Sequence, residues 1–192
     1  SVEGRTVIVD YCHNVPGMVM LGDFVDKTGD VLESTNDLGR VSRIGVIATA
    51  GDRRDADMRA LGHEAARHFD VLIVREDANL RGRAAGEVAE LVAHGARQAR
   101  MEGARCKQVE IVLEELASVR HAMSRSNPGD LVVICVEQHA AVMALLESYG
   151  HHAQPGARPD DDREFSNAVP DPDFTREATH DEPEPAVMQE LR

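Results

Sequence analysis

Tryptophan is absent from this sequence of 192 residues, and aromatic residues make up only 3% of it, so Val, Ile, Leu, Ala and Met must build the core. Lysine occurs only at Lys27 and Lys107. There are three cysteines, Cys12, Cys106 and Cys135. Their spacing is not that of a metal site and their odd number does not suit a disulfide framework, which favours reduced thiols in the cytoplasm. No apolar run approaches the ~18 residues of a membrane helix, and no signal peptide is recognisable at the N-terminus.

Several motifs of nucleotide-dependent and hydrolytic enzymes are also missing. The sequence has no Gly-x-x-x-x-Gly-Lys-Ser/Thr phosphate loop, no Gly-x-Gly-x-x-Gly after its first apolar run and no Gly-x-Ser-x-Gly elbow. These absences argue against a serine hydrolase, and the chain lacks its own cradle for a triphosphate. The formal net charge of −13 argues against nucleic acid and anionic lipid as partners. No metal site is predicted.

Short apolar runs alternate with longer amphipathic stretches along the chain. The runs are rich in Val and Ile and continuous, which is typical of strands buried on both faces; they cover residues 6–9, 44–48, 71–74, 109–112 and 131–136. Helical patterns follow each run, at 17–27, 56–68, 85–102, 114–125 and 138–148. This order predicts an α/β fold: a Rossmann-like open, mostly parallel sheet flanked by helices.

Two segments fall outside this alternation. Residues 28–40 are polar and rich in turn formers, and we predict a surface loop there. Residues 151–192 form an acidic, proline-rich segment with 11 acidic and 4 basic side chains. Low hydrophobicity with net charge predicts a disordered tail, so residues 1–150 are expected to form the folded domain.

Polar clusters follow the first three predicted strands. They occupy residues 10–14, 51–55 and 75–83. Because the carboxyl ends of parallel strands emerge at one edge of a sheet, we expect the three clusters to line one polar crevice. Each has a simpler alternative: Asp10 as the cap of the next helix, His13 as an ordinary loop histidine, and the arginines as exposed ion pairs worth about 0–1 kcal/mol each.

The three clusters together resemble the Mur ligase family. Asp-Tyr-Cys-His-Asn-Val-Pro at 10–16 is similar to the Asp-Tyr-Ala-His-Asn-Pro motif of the Mur ligase C-terminal domain, with Cys12 where Ala is usual and the proline one place later. Gly-Asp-Arg-Arg-Asp at 51–55 resembles the family's Gly-Asp-Arg-Asp loop. With Arg-Glu-Asp at 75–77 and Arg-Gly-Arg at 81–83, the combination looks like the cyanophycin synthetases. The resemblance runs from about residue 7 to residue 144.

The resemblance implies a role in ATP-dependent amide synthesis within a larger enzyme. ATP and Mg would be bound mainly by an upstream central domain, and a further ATP-grasp domain would lie upstream of that. The substrates implied are arginine and an aspartate polymer whose side-chain carboxylate is activated as an acyl phosphate. This piece alone is then expected to be inactive, and a homo-oligomer is left open.

The same resemblance implies roles for individual residues, although the catalytic residues remain unknown. Some of the assigned side chains are also open to the alternative that they only brace a loop. Nucleotide binding is implied for Asp10, His13 and Asn14; contacts across the interdomain cleft for Arg53 and Arg54; and substrate binding for Arg75, Glu76, Asp77, Arg81, Arg83 and Glu87.

Two other functions stay open at this point. The first is a noncatalytic Rossmann-like binding or assembly module, because a fold by itself does not determine function. The second is a Mur-type ligase of peptidoglycan precursors, against which the Arg-Gly-Arg stretch argues.

Overall fold

The computed structural model describes residues 1–35 and 39–152, with the backbone alone at residues 151 and 152. Its sheet has the strand order β1-β5-β2-β3-β4. All strand pairings within these residues are parallel. The strands are β1 (Thr6–Asp10), β2 (Arg43–Ile47), β3 (Val71–Val74), β4 (Gln108–Ile111) and β5 (Leu131–Cys135). The predicted α/β class with a parallel sheet is confirmed.

A helix follows every strand, and the helices cover both faces of the sheet. They are α1 (Val15–Thr35), α2 (Asp55–Ala65), α3 (Glu87–Met101), α4 (Glu115–Arg125) and α5 (His139–His152). Helices α1, α2 and α3 share one apolar cluster with the sheet, while α4 and α5 share the other. In the interior strand β5 every side chain is buried, with Val132 and Ile134 facing one cluster and Val133 and Cys135 the other. That burial on both faces explains its continuous apolar sequence.

Most predicted boundaries lie within three residues of those observed, but the loop predicted over 28–40 is wrong in its first half. Helix α1 continues to Thr35. Gly29, which resembled a turn former, is buried against the Arg43 side chain, and a Cβ at Gly29 would lie 2.2 Å from Arg43 Nε. The Arg43 guanidinium bonds to Asp26 at 2.6 Å and Asp30 at 2.8 Å, one turn apart on α1. Two long-range ion pairs with Arg43 thus accompany the helix through Gly29, a residue of low helical propensity.

The acidic segment predicted to be disordered, residues 151–192, lies almost wholly outside the described residues, so that prediction is untested. Among the helices that the structure describes, none is long and apolar enough to cross a membrane.

Helices α2 and α3 approach each other through glycines, and this contact positions the turn that precedes α3. A Cβ on Gly62 would lie 1.9 Å from Val92 O, and a Cβ on Gly95 would lie 1.8 Å from Arg59 O. Real side chains do not come so close to backbone oxygens, so both positions require glycine while the helices stay at this separation.

Replacing Gly95 with alanine should force α2 and α3 apart. We expect the Gly95→Ala variant to lose at least about 2 kcal/mol of unfolding free energy, the range for an overpacked core. The matched control is Gly150→Ala in α5, where an added Cβ meets nothing within 4 Å. That change should leave stability equal or raise it by up to about 1 kcal/mol. Urea unfolding followed by circular dichroism measures both; equal losses would contradict the packing argument.

Candidate functional site

The three polar turns lie together at the carboxyl edge of the sheet. The turn after β1 contacts the turn after β2, because Thr49 Oγ1 donates a hydrogen bond to His13 O at 2.9 Å. The turn after β2 contacts the turn after β3, because a Cβ on Gly51 would lie 2.2 Å from Leu80 O. Side chains far apart in sequence thus share one rim, as expected when parallel strands end at the same level.

Asn14, not Asp10, caps the first helix. Asn14 Oδ1 accepts a hydrogen bond from Gly17 N at 2.8 Å, in the first turn of α1. Asp10 Oδ1 instead accepts from Cys12 N at 2.7 Å, which folds the turn back on the end of β1. The capping role considered for Asp10 is therefore wrong. Within the described residues, its second carboxylate oxygen makes no hydrogen bond and remains an acceptor for a ligand.

A small cavity opens between the turns after β1 and β2. Its volume is about 180 Å³, and its lining comprises His13, Asn14, Val15, Pro16, Thr49, Arg53, Asp57 and Leu61. Two of the three residues predicted to bind nucleotide line it, together with Arg53 from the predicted cleft side. Asp10 lies at the base of the same turn but does not line the cavity.

Arg53 and Arg54 are neighbours with different environments. Arg54 donates to both carboxylate oxygens of Asp57, from Nε at 2.8 Å and from Nη2 at 2.9 Å. This bidentate pair lowers the pKa of Asp57 and raises the pKa of Arg54. The Arg53 side chain, by contrast, is exposed and forms no hydrogen bond or ion pair with the residues that the structure describes. Arg53 is thus the guanidinium in this turn that is open to a ligand.

Arg75 and Glu76, both predicted to contact substrate, are buried and engaged by the protein itself. The Arg75 side chain is 2% exposed; it donates to Cys135 O at 3.0 Å and pairs with Glu115 at 3.2 Å and Asp77 at 3.2 Å. The Glu76 carboxylate accepts hydrogen bonds from three backbone amides at the start of α3, those of Gly86, Val88 and Ala89. For these two residues the structure favours bracing of the loop over substrate contact.

Arg83 also acts within the protein, as a clamp between the turns after β2 and β3. Its guanidinium donates to Gly51 O at 2.9 Å and Arg53 O at 3.0 Å, and pairs with Asp55 at 2.8 Å and Glu87 at 2.7 Å. The contact with Arg83 lowers the pKa of Glu87, and these pairings raise the pKa of Arg83. With its donors occupied, Arg83 fixes the backbone from which Arg53 projects.

Arg81 and Asp77 remain the more open members of this loop. Arg81 has a left-handed backbone (φ 51°), its side chain is 50% exposed, and its closest acid is Asp52 at 3.5 Å. Asp77 is half-buried, and burial raises the pKa of its carboxyl while the Arg75 guanidinium opposes that shift. A second opening of about 570 Å³ lies beside the loop, lined by Arg59, Ala84, Ala85, Gly86, Glu87, Glu90, Leu91 and His94.

Glu115 and Glu137 belong to this edge, although sequence reasoning missed both. The buried Glu115 carboxylate accepts from Glu137 N at 2.6 Å and Gln138 N at 3.0 Å, and so holds the turn after β5. Glu137 in turn accepts from Ala78 N at 2.9 Å. In the sequence, Glu115 looks like an ordinary acidic residue in the first turn of a helix, and only its burial distinguishes it.

Comparison with known proteins accounts for this arrangement of turns. Residues 1–136 match the family described as Mur ligase, glutamate ligase domain. The chain belongs to the Mur ligase family. This membership confirms the resemblance drawn from the three motif turns, and the match extends from β1 to the end of β5.

Among its relatives, the chain is 36% identical over 141 residues to a cyanophycin synthetase of Synechocystis sp., which covers 73% of the chain and 14% of the relative. It is 34% identical over 139 residues to the cyanophycin synthetase of Crocosphaera subtropica; the aligned region covers 72% of the chain and 14% of the relative. The chain is also 28% identical over 146 residues to a UDP-N-acetylmuramoyl-L-alanyl-D-glutamate–2,6-diaminopimelate ligase of Corynebacterium efficiens. This aligned region covers 76% of the chain and 25% of that ligase. The chain thus spans about 14% of the length of these cyanophycin synthetases.

The buried contacts of Glu76 should matter for stability rather than for ligand binding. Glu76→Gln keeps the shape but replaces a carboxylate at three amide donors, so we expect a loss of about 1.5–3 kcal/mol in unfolding free energy. Glu90→Gln, in the first turn of α3, is the control: the Glu90 side chain is 61% exposed. Urea denaturation, with hydrogen exchange of residues 86–89, measures both. Faster exchange there in Glu76→Gln alone is expected; identical behaviour of the two variants would refute the capping role.

Proposed function

We propose that this chain is the C-terminal domain of an ATP-dependent amide ligase of the cyanophycin synthetase type. In the whole enzyme it would help to add arginine to the side-chain carboxylate of a poly-aspartate backbone through an acyl phosphate. The observation that carries the proposal is the meeting of three family-typical turns on one edge, where Arg53 and Arg81 still have unpaired or loosely paired guanidinium groups. The identity to cyanophycin synthetases over most of the folded body supports the specific type.

The cavity between the turns after β1 and β2 is the proposed nucleotide side. At about 180 Å³ it is smaller than the roughly 300–1,000 Å³ of complete small-molecule sites, so it fits one part of a nucleotide and needs a second wall. The free carboxylate oxygen of Asp10 can accept a hydrogen bond from a ribose hydroxyl, and the Arg53 guanidinium can bind a phosphate. His13 and Asn14 line the wall of the cavity between them. A neighbouring domain would supply the opposite wall.

Magnesium would screen the phosphate charges in such a reaction. Within residues 1–35 and 39–152 no group of three or more His, Cys, Asp or Glu side chains converges as a metal site. In the proposed enzyme, magnesium would be held mainly by an upstream domain that carries the phosphate loop.

The loop after β3 is the proposed amino-acid side. Arg81, half-exposed and only loosely paired with Asp52, is the guanidinium best placed to hold the carboxylate of an incoming amino acid. Glu87 and Glu90 line the neighbouring opening, and their carboxylates suit the guanidinium of an arginine substrate. Asp77 is a further acid of this loop, whereas Arg75, Glu76 and Arg83 would act through the positions of the others.

The chemistry is two successive substitutions. A substrate carboxylate attacks the γ-phosphorus of ATP and displaces ADP, which leaves an acyl phosphate. The amine of the incoming amino acid then attacks the acyl carbon, and phosphate departs as the amide forms. Closure of this domain over a catalytic partner would exclude water, which otherwise hydrolyses the acyl phosphate.

A second candidate is a Mur-type ligase that adds a diamino acid to a peptidoglycan precursor, supported by the 28% identity to a diaminopimelate ligase. The noncatalytic module is a third. The discriminating assay uses the full-length protein and measures ADP release with a poly-aspartate acceptor. Arginine-dependent release is expected; release with diaminopimelate and a muramoyl peptide instead would favour the second candidate, and none with either pair would favour the third.

Arg53 and Arg54 form a matched pair for testing the nucleotide side. In the full-length protein, Arg53→Ala should raise the KM for ATP about 10-fold or more, because a charge-assisted contact worth about 1.5–3 kcal/mol is lost. Arg54→Ala removes an equally exposed arginine that is occupied by Asp57, and should change that KM less than about 2-fold. Equal effects of the two variants would refute the assignment of Arg53.

Arg81 tests the amino-acid side independently. Arg81→Ala should raise the KM for arginine about 10-fold or more with little change in the KM for ATP. Arg67→Ala is the control, since its side chain is 62% exposed and it follows α2, at the opposite edge of the sheet. Steady-state kinetics with each substrate varied in turn give both constants; a rise confined to the ATP constant would contradict the proposed role.

A further inference from the structure

Two of the three cysteines meet at the carboxyl edge, beside the turn after β1. Cys135 is the last residue of β5, where it is paired with Asp10 of β1, and Cys12 stands two residues beyond Asp10. Both side chains belong to the same apolar cluster. Because Asp10 and Cys135 are register partners on neighbouring strands, the two thiols come close to each other, and each shifts the pKa of the other. Both thiols are free, and so is the third, at Cys106.

Cys106, the third cysteine, does not belong to this pair. It precedes β4, at the opposite edge of the sheet, and its thiol donates to Gln108 O at 3.1 Å. Burial raises its pKa. It therefore provides an internal reference: a buried thiol in the same chain without a second sulfur as its hydrogen-bond partner.

The two paired sulfurs differ in reactivity. The hydrogen bond from Cys135 lowers the pKa of Cys12, against the opposing effects of burial and Asp10. The same contact, together with complete burial, holds the pKa of Cys135 well above its usual range. Cys12 lies in a turn and is 9% exposed, whereas Cys135 ends a strand and is 2% exposed, so Cys12 is the attacking sulfur and Cys135 is the resolving one.

The position of Cys12 leaves room for reaction at the turn. Its side chain is 9% exposed, and the flanking residues Tyr11 and His13 are exposed. Its sulfur lies 3.8 Å from Asn14 O and packs against Gly17, where a Cβ would stand 3.3 Å away. Cys12 is therefore the sulfur nearer to solvent, and Cys135 lies behind it at the end of β5.

We propose that Cys12 and Cys135 form a reversible disulfide, with a small-molecule disulfide as the oxidant. The Cys12 thiolate attacks one sulfur of that disulfide, its S–S bond breaks, and one small thiolate leaves and takes up a proton. Cys135 then loses its proton and attacks the Cys12 sulfur of the mixed disulfide, which releases the second small thiol. Two electrons pass from the protein to the oxidant, and both protein protons end on the two released thiols.

The new bond would join the turn after β1 to the end of β5. That turn carries Asp10, His13 and Asn14, and its present tie to β5 beyond the strand pairing includes the hydrogen bond from Val136 N to Asp10 O at 2.8 Å. A covalent link two residues further on restrains the segment between Asp10 and the start of α1. Oxidation should therefore slow local opening of this turn more than that of the other turns at the same edge.

The test treats the folded full chain with oxidised glutathione, blocks remaining thiols without reduction, and maps peptides by mass spectrometry. The wild-type chain and the Cys106→Ser variant should each lose two thiols and yield a linked Cys12–Cys135 peptide, reversed by dithiothreitol. The Cys135→Ser variant should stop at a glutathione adduct on Cys12, and the Cys12→Ser variant should keep both remaining thiols free.

Hydrogen exchange of the same samples gives the second readout. Amides of residues 11–17 should exchange more slowly in the oxidised wild-type chain than in the reduced one, with no change in Cys12→Ser. Free thiols at both positions after oxidation, a link that involves Cys106, or unchanged exchange at residues 11–17 would each overturn the proposal. The wild-type and Cys106→Ser arms decide the outcome even if a Cys135 variant does not fold.

Discussion

The carboxyl edge of this domain depends on the buried Arg75 guanidinium and the carboxylates around it. Arg75 leaves the end of β3, bonds to the last carbonyl of β5 and pairs with Glu115 at the start of α4. Removing one partner of such a buried pair generally costs about 3–5 kcal/mol, because the other charge stays buried and uncompensated. Glu115 and Glu76 extend the network to the turn after β5 and to the start of α3. Turns that would otherwise be mobile are thereby given one geometry.

This network divides the arginines of the edge into two groups. In the first group, the side chains donate hydrogen bonds to carboxylates and carbonyls of the protein; these are Arg54, Arg75 and Arg83. Arg53 and Arg81 are exposed and little engaged, and Arg83 holds the backbone of Arg53 in place through a hydrogen bond to Arg53 O. Preorganised charge of this kind is more effective than flexible charge, because less conformational entropy is lost when a ligand binds. In the proposed function, Arg83 would contribute to binding through the position of Arg53.

The site has the form of one wall, which agrees with a chain that spans about 14% of its cyanophycin synthetase relatives. In the proposed function, a cavity of about 180 Å³ and a shallow rim of arginines would leave the nucleotide and the activated carboxylate largely exposed. In the proposed function, water is excluded by a partner domain that closes on this rim. The thiol pair of Cys12 and Cys135 lies under the same rim, so its oxidation state would act on the turn that faces the nucleotide.

The sequence by itself determined the fold and the edge at which the polar turns meet. Continuous runs of Val and Ile indicate strands buried on both faces, and alternation with helices makes them parallel, so turns after successive strands must share an edge. The motifs in those turns were enough to identify the family. Only the tertiary structure decided which charged residues are free: Arg75 and Glu76 look like Arg53 and Arg81 in the sequence, but their partners come from β5, α4 and α3. The ion pairs of Arg43 with α1 and the proximity of Cys12 to Cys135 were likewise invisible in the sequence. Such contacts join residues distant along the chain, and local pattern carries no information about which distant partner will satisfy a given charge.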